Sequence, residues 1–226
     1  MVIGPFYSLS SMKFYGAIFD MDGLLLDTER VCMRVFEQAC ITTNNPFNRD
    51  IYLSIIGRNA VGIERIFREL YGDNYDKLHQ EWRTHYTALV TEQAIPKKTG
   101  VIELLDWLKA QGIKLAVATS SQRDVSLRKL TLAGLIGYFD HVTTGCEVSQ
   151  GKPDPEIYLL AAKRLGLKPQ QCLAFEDSNN GVLAAVSAEM TTYQVPDLVE
   201  PNSEILALGH TVLPSLNDVL TQLKSF

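Results

Sequence analysis

Short apolar runs alternate with amphipathic segments along this chain of 226 residues, and no other feature limits its fold as tightly. Residues 15–19, 114–119, 141–144, 172–175, 191–195 and 210–213 read as strands. Residues 28–39, 101–111, 123–133, 155–165, 181–188 and 216–223 read as helices, with Gly112 and Gly166 closing two of them. Strands that alternate with helices imply a mostly parallel sheet with both faces covered, so the expected fold class is α/β. One stretch departs from the pattern. From about Asn44 to Ala94 no strand signal appears, and 49–56, 62–71 and 74–91 read as helices. This block has the texture of a helical insertion.

In an open parallel sheet, ligands bind beyond the carboxyl ends of the strands. The residues that follow each apolar run therefore matter most. Asp20 and Asp22 follow the first strand, in DMDG. Thr119, Ser120 and Ser121 follow KLAVA, and Lys152 lies in the loop GCEVSQGKPDP. Glu176 and Asp177 follow CLAF, ahead of Ser178, Asn179, Asn180 and Gly181. One sheet edge thus collects four carboxylates, three hydroxyls and a lysine.

Carboxylates crowded into one cleft raise each other's pKa unless a cation intervenes. Mg2+ suits such a set, since it takes oxygen ligands and shares its shell with water and phosphate. Asp20, Asp177 and Glu176 are the candidate ligands. Thr119, Ser120 and Lys152 suit a phosphate dianion. Asp20, at the strand end, is placed to attack phosphorus as a nucleophile. Asp22, one residue further back, can protonate the leaving oxygen and later take a proton from water. Gly23 lets the chain turn sharply after the pair.

Bulk properties narrow the partners. A net charge of −5 argues against a broad nucleic-acid surface and gives no polybasic membrane patch. No apolar run is long enough to span a bilayer. Cys32, Cys40, Cys146 and Cys172 are scattered, with neither zinc-cage nor disulfide-scaffold spacing, as expected of reduced thiols in a cytoplasmic protein. Residues 1–11 lack a basic start and are broken by Gly4 and Pro5, so they do not read as a signal peptide, and Met12 is an alternative start. Nothing in the pattern suggests an obligate interface, so a monomer is expected.

DMDG, the threonine after KLAVA, the lysine of GKPDP and FEDSNNG resemble, in order, the four motifs of the haloacid dehalogenase-like phosphohydrolases. DMDGLLLDTE, GKPDPEIY and EDSNNG look most like the beta-phosphoglucomutase-like branch. The resemblance runs from Tyr15 nearly to the end. It implies a Rossmann-like core, here 13–29 with 96–226, and a helical cap over 30–95. It implies Mg2+ and a two-step phosphoryl transfer through Asp20, acting on a small phosphorylated metabolite such as a sugar phosphate or nucleoside monophosphate. By motif, Asp20 matches the nucleophile and Asp22 the acid/base, whose backbone also binds metal. Thr119 and Lys152 match the phosphate binders, and Glu176 with Asp177 the metal-binding pair.

Mutases of this branch usually carry a histidine where this chain has Cys32, and a Lys-Asn pair where it has Gln122 and Arg123. Those departures point from a phosphosugar mutase toward a phosphatase. Asp22 likewise argues against dehalogenation. A phospho-accepting signalling receiver also clusters acids with a lysine, but it would lack the helical insertion and the second aspartate. In the insertion, Arg58 of IIGRNA is a candidate for binding a substrate anion. His79, Trp82 and His85 are read as packing or surface residues. Glu189 stands where relatives tend to have glycine.

Overall fold

The computed structural model describes residues 14–56 and 60–225. The strands are β1 (Gly16–Phe19), β2 (Lys114–Thr119), β3 (His141–Thr144), β4 (Cys172–Glu176), β5 (Thr191–Gln194) and β6 (Thr211–Val212). They form one parallel sheet in the order β3-β2-β1-β4-β5-β6. The chain builds outward from β1 to β3, then returns to the other side of β1 for β4. The strand order therefore reverses beside β1, and the crevice at that switch point is where such sheets hold ligands.

The helices are α1 (Thr28–Thr42), α2 (Arg49–Ile55), α3 (Ala60–Tyr71), α4 (Tyr75–Glu92), α5 (Val101–Ala110), α6 (Arg123–Leu132), α7 (Glu156–Leu165), α8 (Asn179–Ser187), α9 (Ser203–Leu206) and α10 (Leu216–Leu223). Every residue of β1 is buried, because successive side chains enter different cores. Ala17 and Phe19 pack with leucines and valines of α5 and α10. Ile18 faces the alanine-rich side, where Ala161 and Ala162 of α7 meet Ala184 and Ala185 of α8. Helices α1 to α4 gather around a third, aromatic cluster in which Phe36 stacks on Phe67 at 4.9 Å and meets the edge of Trp82. Among the described residues no helix is long and apolar enough to cross a membrane.

The two connections between this helical block and the sheet run side by side. Asp27 N donates to Pro96 O at 2.9 Å, and Lys98 N to Leu25 O at 3.0 Å. Asp197, from the loop after β5, binds both sides of the junction, pairing with Arg30 of α1 and with Lys98 Nζ.

The expected elements are present, with small shifts at their ends. Helix α8 starts at Asn179 rather than 181, because Ser178 accepts from Gly181 N and so caps the helix two residues earlier. The short α9 was not foreseen. Asn202 caps it, and Ile205 is its buried residue, a pattern too brief to show a helical period.

Candidate active site

Asp20, Thr119 and Glu176 stand at the carboxyl ends of β1, β2 and β4, so the register of three neighbouring strands brings them together. All three are buried. Lys152 enters from the loop before α7. Its Nζ lies 2.5 Å from Asp20 Oδ1, 2.5 Å from Glu176 Oε1 and 3.0 Å from Ala118 O. Burial pulls the lysine's pKa down, but the charges of Asp20 and Glu176 outweigh it and hold the ammonium above its ordinary range.

Glu176 is saturated by protein donors. Besides Lys152, Oε1 accepts from Tyr158 Oη at 2.8 Å. Oε2 accepts from the backbone N–H of Asp177 and Ser178 and from Ser178 Oγ, at 3.1–3.2 Å. Helix α8 begins directly against this carboxylate, and a Cβ on Gly181 would fall 1.9 Å from its Cδ. Glu176 thus spends its lone pairs on fixing Lys152 and the start of α8.

Asp177 is the opposite case. Its side chain is buried and has no hydrogen-bond partner among the described residues. Gly23, at φ +89°, leaves room for it, since a Cβ there would meet Asp177 Oδ2 at 2.3 Å. Burial first, then the charges of Glu176, Asp20 and Glu29, push its pKa well above the usual carboxylate range despite Lys152. Asp20 is pushed up to about 7, mainly by burial, with Glu176 and Asp22 adding to the effect and Lys152 opposing it. Oxygens of Asp20, Glu176 and Asp177 lie within 4.8 Å of one another. Asp20 and Asp177, both buried and driven toward neutrality, lie beside Glu176, and together they form a donor set that fits a hard divalent cation.

Asp22 faces the other way. Its Oδ1 accepts from Lys129 Nζ at 2.7 Å, and its Oδ2 from Ser121 Oγ at 2.7 Å and Thr119 Oγ1 at 3.4 Å. Burial raises its pKa, but the charge and hydrogen bond of Lys129 and the bond from Ser121 win and hold it below the ordinary value. Thr119 also accepts from Ser121 N at 3.2 Å, whereas Gln122 occupies the N-cap of α6. Ser120 is exposed at the strand end. Arg58 lies outside the described residues.

A cavity of about 660 Å³ opens over this edge, lined by Lys152, Asp177 and Ser178 from the core and by Glu29, Ser54 and Ile56 from the helical block. Glu29 has no hydrogen-bond partner among the described residues. Its pKa is pushed up to about 7 by burial and by the charges of Asp22 and Asp197, with Lys129 opposing.

The sequence reading missed Lys129 and Glu29, and it placed Ser121 at the sheet edge without giving it a partner. Lys129 could have been found. Ser126, Leu130 and Ala133 set the buried face of α6 at helical spacing, and Lys129 falls on that face.

Residues 17–195 match the family of haloacid dehalogenase-like hydrolases. A phosphorylated carbohydrates phosphatase of Thermotoga maritima is 35% identical over 214 residues, covering 92% of this chain and 97% of its own. A validoxylamine A 7'-phosphate phosphatase of Streptomyces hygroscopicus is 31% identical, covering 90% of this chain and 94% of its own. The crystal structure of CbbY from Rhodobacter sphaeroides in complex with xylulose-(1,5)bisphosphate superposes with a TM-score of 0.74 at 27% identity, covering 90% of this chain and 95% of that one. Motif order, sheet topology and these likenesses agree, and the chain belongs to the haloacid dehalogenase-like hydrolase family, in its beta-phosphoglucomutase-like phosphatase branch.

Proposed function

We propose that this chain is a Mg2+-dependent phosphatase that hydrolyses a small phosphomonoester through an aspartyl phosphate on Asp20. The observation that carries this reading is the meeting of Asp20, Lys152 and Asp177 in one buried cluster under one cavity. Asp20 is held by an ammonium at the stiff end of a buried strand, which fixes the attacking oxygen. Asp20 and Asp177 would hold the cation, Glu176 keeps Lys152 in place, and the backbone carbonyl of Asp22 is the further expected ligand. A bound Mg2+ would return Asp20 to its anionic form and draw charge from the phosphoryl oxygens. Thr119, Ser120 and Lys152 are the proposed phosphate contacts. Asp22, ionised in its pairing with Lys129, would take up a proton from solvent when substrate binds, give it to the leaving alcohol oxygen, then take one from the water that attacks the acyl phosphate. The helices α1 to α4 are the cap, and they limit the substrate to what the cavity admits.

A sugar phosphate or a nucleoside monophosphate suits such a space. Among relatives, the phosphorylated carbohydrates phosphatase supports the first. Hydrolysis is preferred to mutation because Cys32 stands where the mutases carry histidine, and burial pushes that thiol up to about 11, leaving it a poor proton carrier at neutral pH.

The test is phosphate release from a panel of phosphorylated metabolites, with Mg2+ and with a chelator. Release should require the cation, and Asp20→Asn should lower it by roughly three orders of magnitude or more. An Asp20→Asn enzyme that keeps its activity would refute the mechanism.

A further inference from the structure

Lys129 lies on α6 and does not line the cavity. Its side chain is 2% exposed. A buried ammonium is costly unless paired, and the partner here is Asp22 Oδ1 at 2.7 Å. The other carboxylate oxygen is taken by hydroxyls of Ser121 and Thr119. Donors therefore fix Asp22 through both of its oxygens. The same ammonium donates to Tyr86 Oη at 3.4 Å and lies 5.5 Å from the centre of its ring. Tyr86 belongs to α4 and packs against both the core cluster and the aromatic cluster of the helical block. One lysine thus touches the carboxyl at the sheet edge and a helix that covers it.

We propose that Lys129 is a positioning residue for Asp22, setting the orientation of its carboxyl group and tying that orientation to the cap through Tyr86. The inference rests on the phosphatase reading, in which Asp22 has a leaving group to protonate. In that reaction an oxygen of Asp20 bonds to phosphorus as the P–O bond to the alcohol breaks, and the alcohol oxygen leaves with a proton that Asp22 has taken up from solvent on substrate binding. Water then bonds to phosphorus as the bond to Asp20 breaks, and Asp22 recovers a proton from that water. Proton donation matters greatly when the leaving group is an alkoxide. It matters little when the leaving group is a stabilised phenolate. Lys129 reaches the chemistry only through Asp22, so its loss should show the same preference.

The experiment compares kcat/KM for glycerol phosphate and for p-nitrophenyl phosphate in the full chain with Mg2+, which reports on the step that expels the leaving group. Lys129→Met should lower the value for the alkyl ester at least about tenfold more than for the aryl ester. Asp22→Asn should show the same selectivity more strongly, and the double variant should be no worse than Asp22→Asn alone. Tyr86→Phe should move the ratio in the same direction by a smaller factor. Lys129→Arg keeps the charge with a differently shaped head, and it gives a ratio between wild type and Lys129→Met. Equal losses for the two esters in Lys129→Met, or additive losses in the double variant, would overturn the proposal, because a residue needed only for folding lowers both esters alike. If Lys129→Met does not fold, Lys129→Arg and Tyr86→Phe carry the test, and an unchanged ratio in both overturns it. A wild-type chain that turns over neither ester refutes the phosphatase reading and this inference with it.

Discussion

Gly181 is the third residue of α8, and Gly181→Ala sets two effects against each other. Alanine is the better helix former, by about 1 kcal/mol at an interior position. Against that, the new Cβ would lie 1.9 Å from Cδ and Oε1 of Glu176 and 2.1 Å from Oε2. Ordinary contact needs about 3.5 Å, so the carboxylate or the helix start must move by roughly 1.5 Å. Glu176 is fully buried and cannot swing into water. It gives up bonds to Lys152, Tyr158 and the α8 cap if it moves. Overpacking costs about 1–3 kcal/mol, and a hydrogen bond to a charged group is worth about 1.5–3 kcal/mol. With one such bond lost, the net effect is a destabilisation of about 3 kcal/mol. That corresponds to a fall in Tm of roughly 6–12 °C for a chain of this size. Because Glu176 holds Lys152, phosphate release should fall by about a hundredfold as well. Thermal and urea unfolding measure the first effect, and a phosphate-release assay the second. In a Glu176→Ala background the carboxylate is gone, and Gly181→Ala should stabilise by about 1 kcal/mol. A Gly181→Ala protein at least as stable as wild type, or a penalty that persists in the Glu176→Ala background, would refute the reasoning.

Two further outcomes can be checked by unfolding alone. Glu189 follows the end of α8 at φ +61°, a left-handed conformation that costs a non-glycine residue about 1 kcal/mol. Glu189→Gly should therefore stabilise by about 0.5 kcal/mol, after the looser unfolded chain and the lost bond from Gln170 are counted, and a higher urea midpoint is the sign to look for. Glu147 accepts from Arg164 Nη2 at 2.8 Å and from the N–H and hydroxyl of Thr144 at 2.8 Å, and these bonds, Arg164 first, hold its carboxyl down to about 2 against partial burial. A depressed carboxyl stabilises the fold above its unfolded pKa and loses that contribution as pH falls through the folded value. Glu147→Gln should cost about 1 kcal/mol at pH 7, after discounting for solvent, and the gap to wild type should close between about pH 4 and pH 2.

Most of the site was readable because a parallel sheet sends the residues after its strands to one edge. Asp20, Thr119 and Glu176 needed only the strand assignments, and Lys152 and Asp177 follow from adjacent loops. What escaped the reading depends on contacts between distant parts of the chain. Lys129 meets Asp22 across 107 residues, and although its place on the buried face of α6 can be read, the carboxylate that pairs with it there cannot. Glu29 sits on the first turn of α1, where an acidic residue is ordinary, and only the fold shows that it lines the cavity. From sequence Glu176 is a candidate metal ligand, and the fold adds a second role, orienting its neighbours. Its bonds to Lys152, Tyr158 and the cap of α8 support the orienting role, while its place in the cluster with Asp20 and Asp177 keeps it within reach of a cation there.

The charge arrangement gives the site a division of labour that no single motif contains. Lys152 serves Asp20 and Glu176, and Lys129 serves Asp22, so each ammonium neutralises its own side of the crevice. Among the described residues neither Asp177 nor Glu29 is in an ion pair, and burial pushes both upward although Lys152 and Lys129 oppose it from a distance. Asp177 lies with Asp20 where three carboxylates converge, so a divalent cation placed there relieves the larger conflict. Glu29 lines the cavity and has no hydrogen-bond partner among the described residues. On the proposed phosphatase reading, this carboxyl is expected to disfavour a leaving group that carries a second anion, so a substrate panel should show faster phosphate release from sugar monophosphates than from bisphosphates, and the reverse order would refute that role for Glu29.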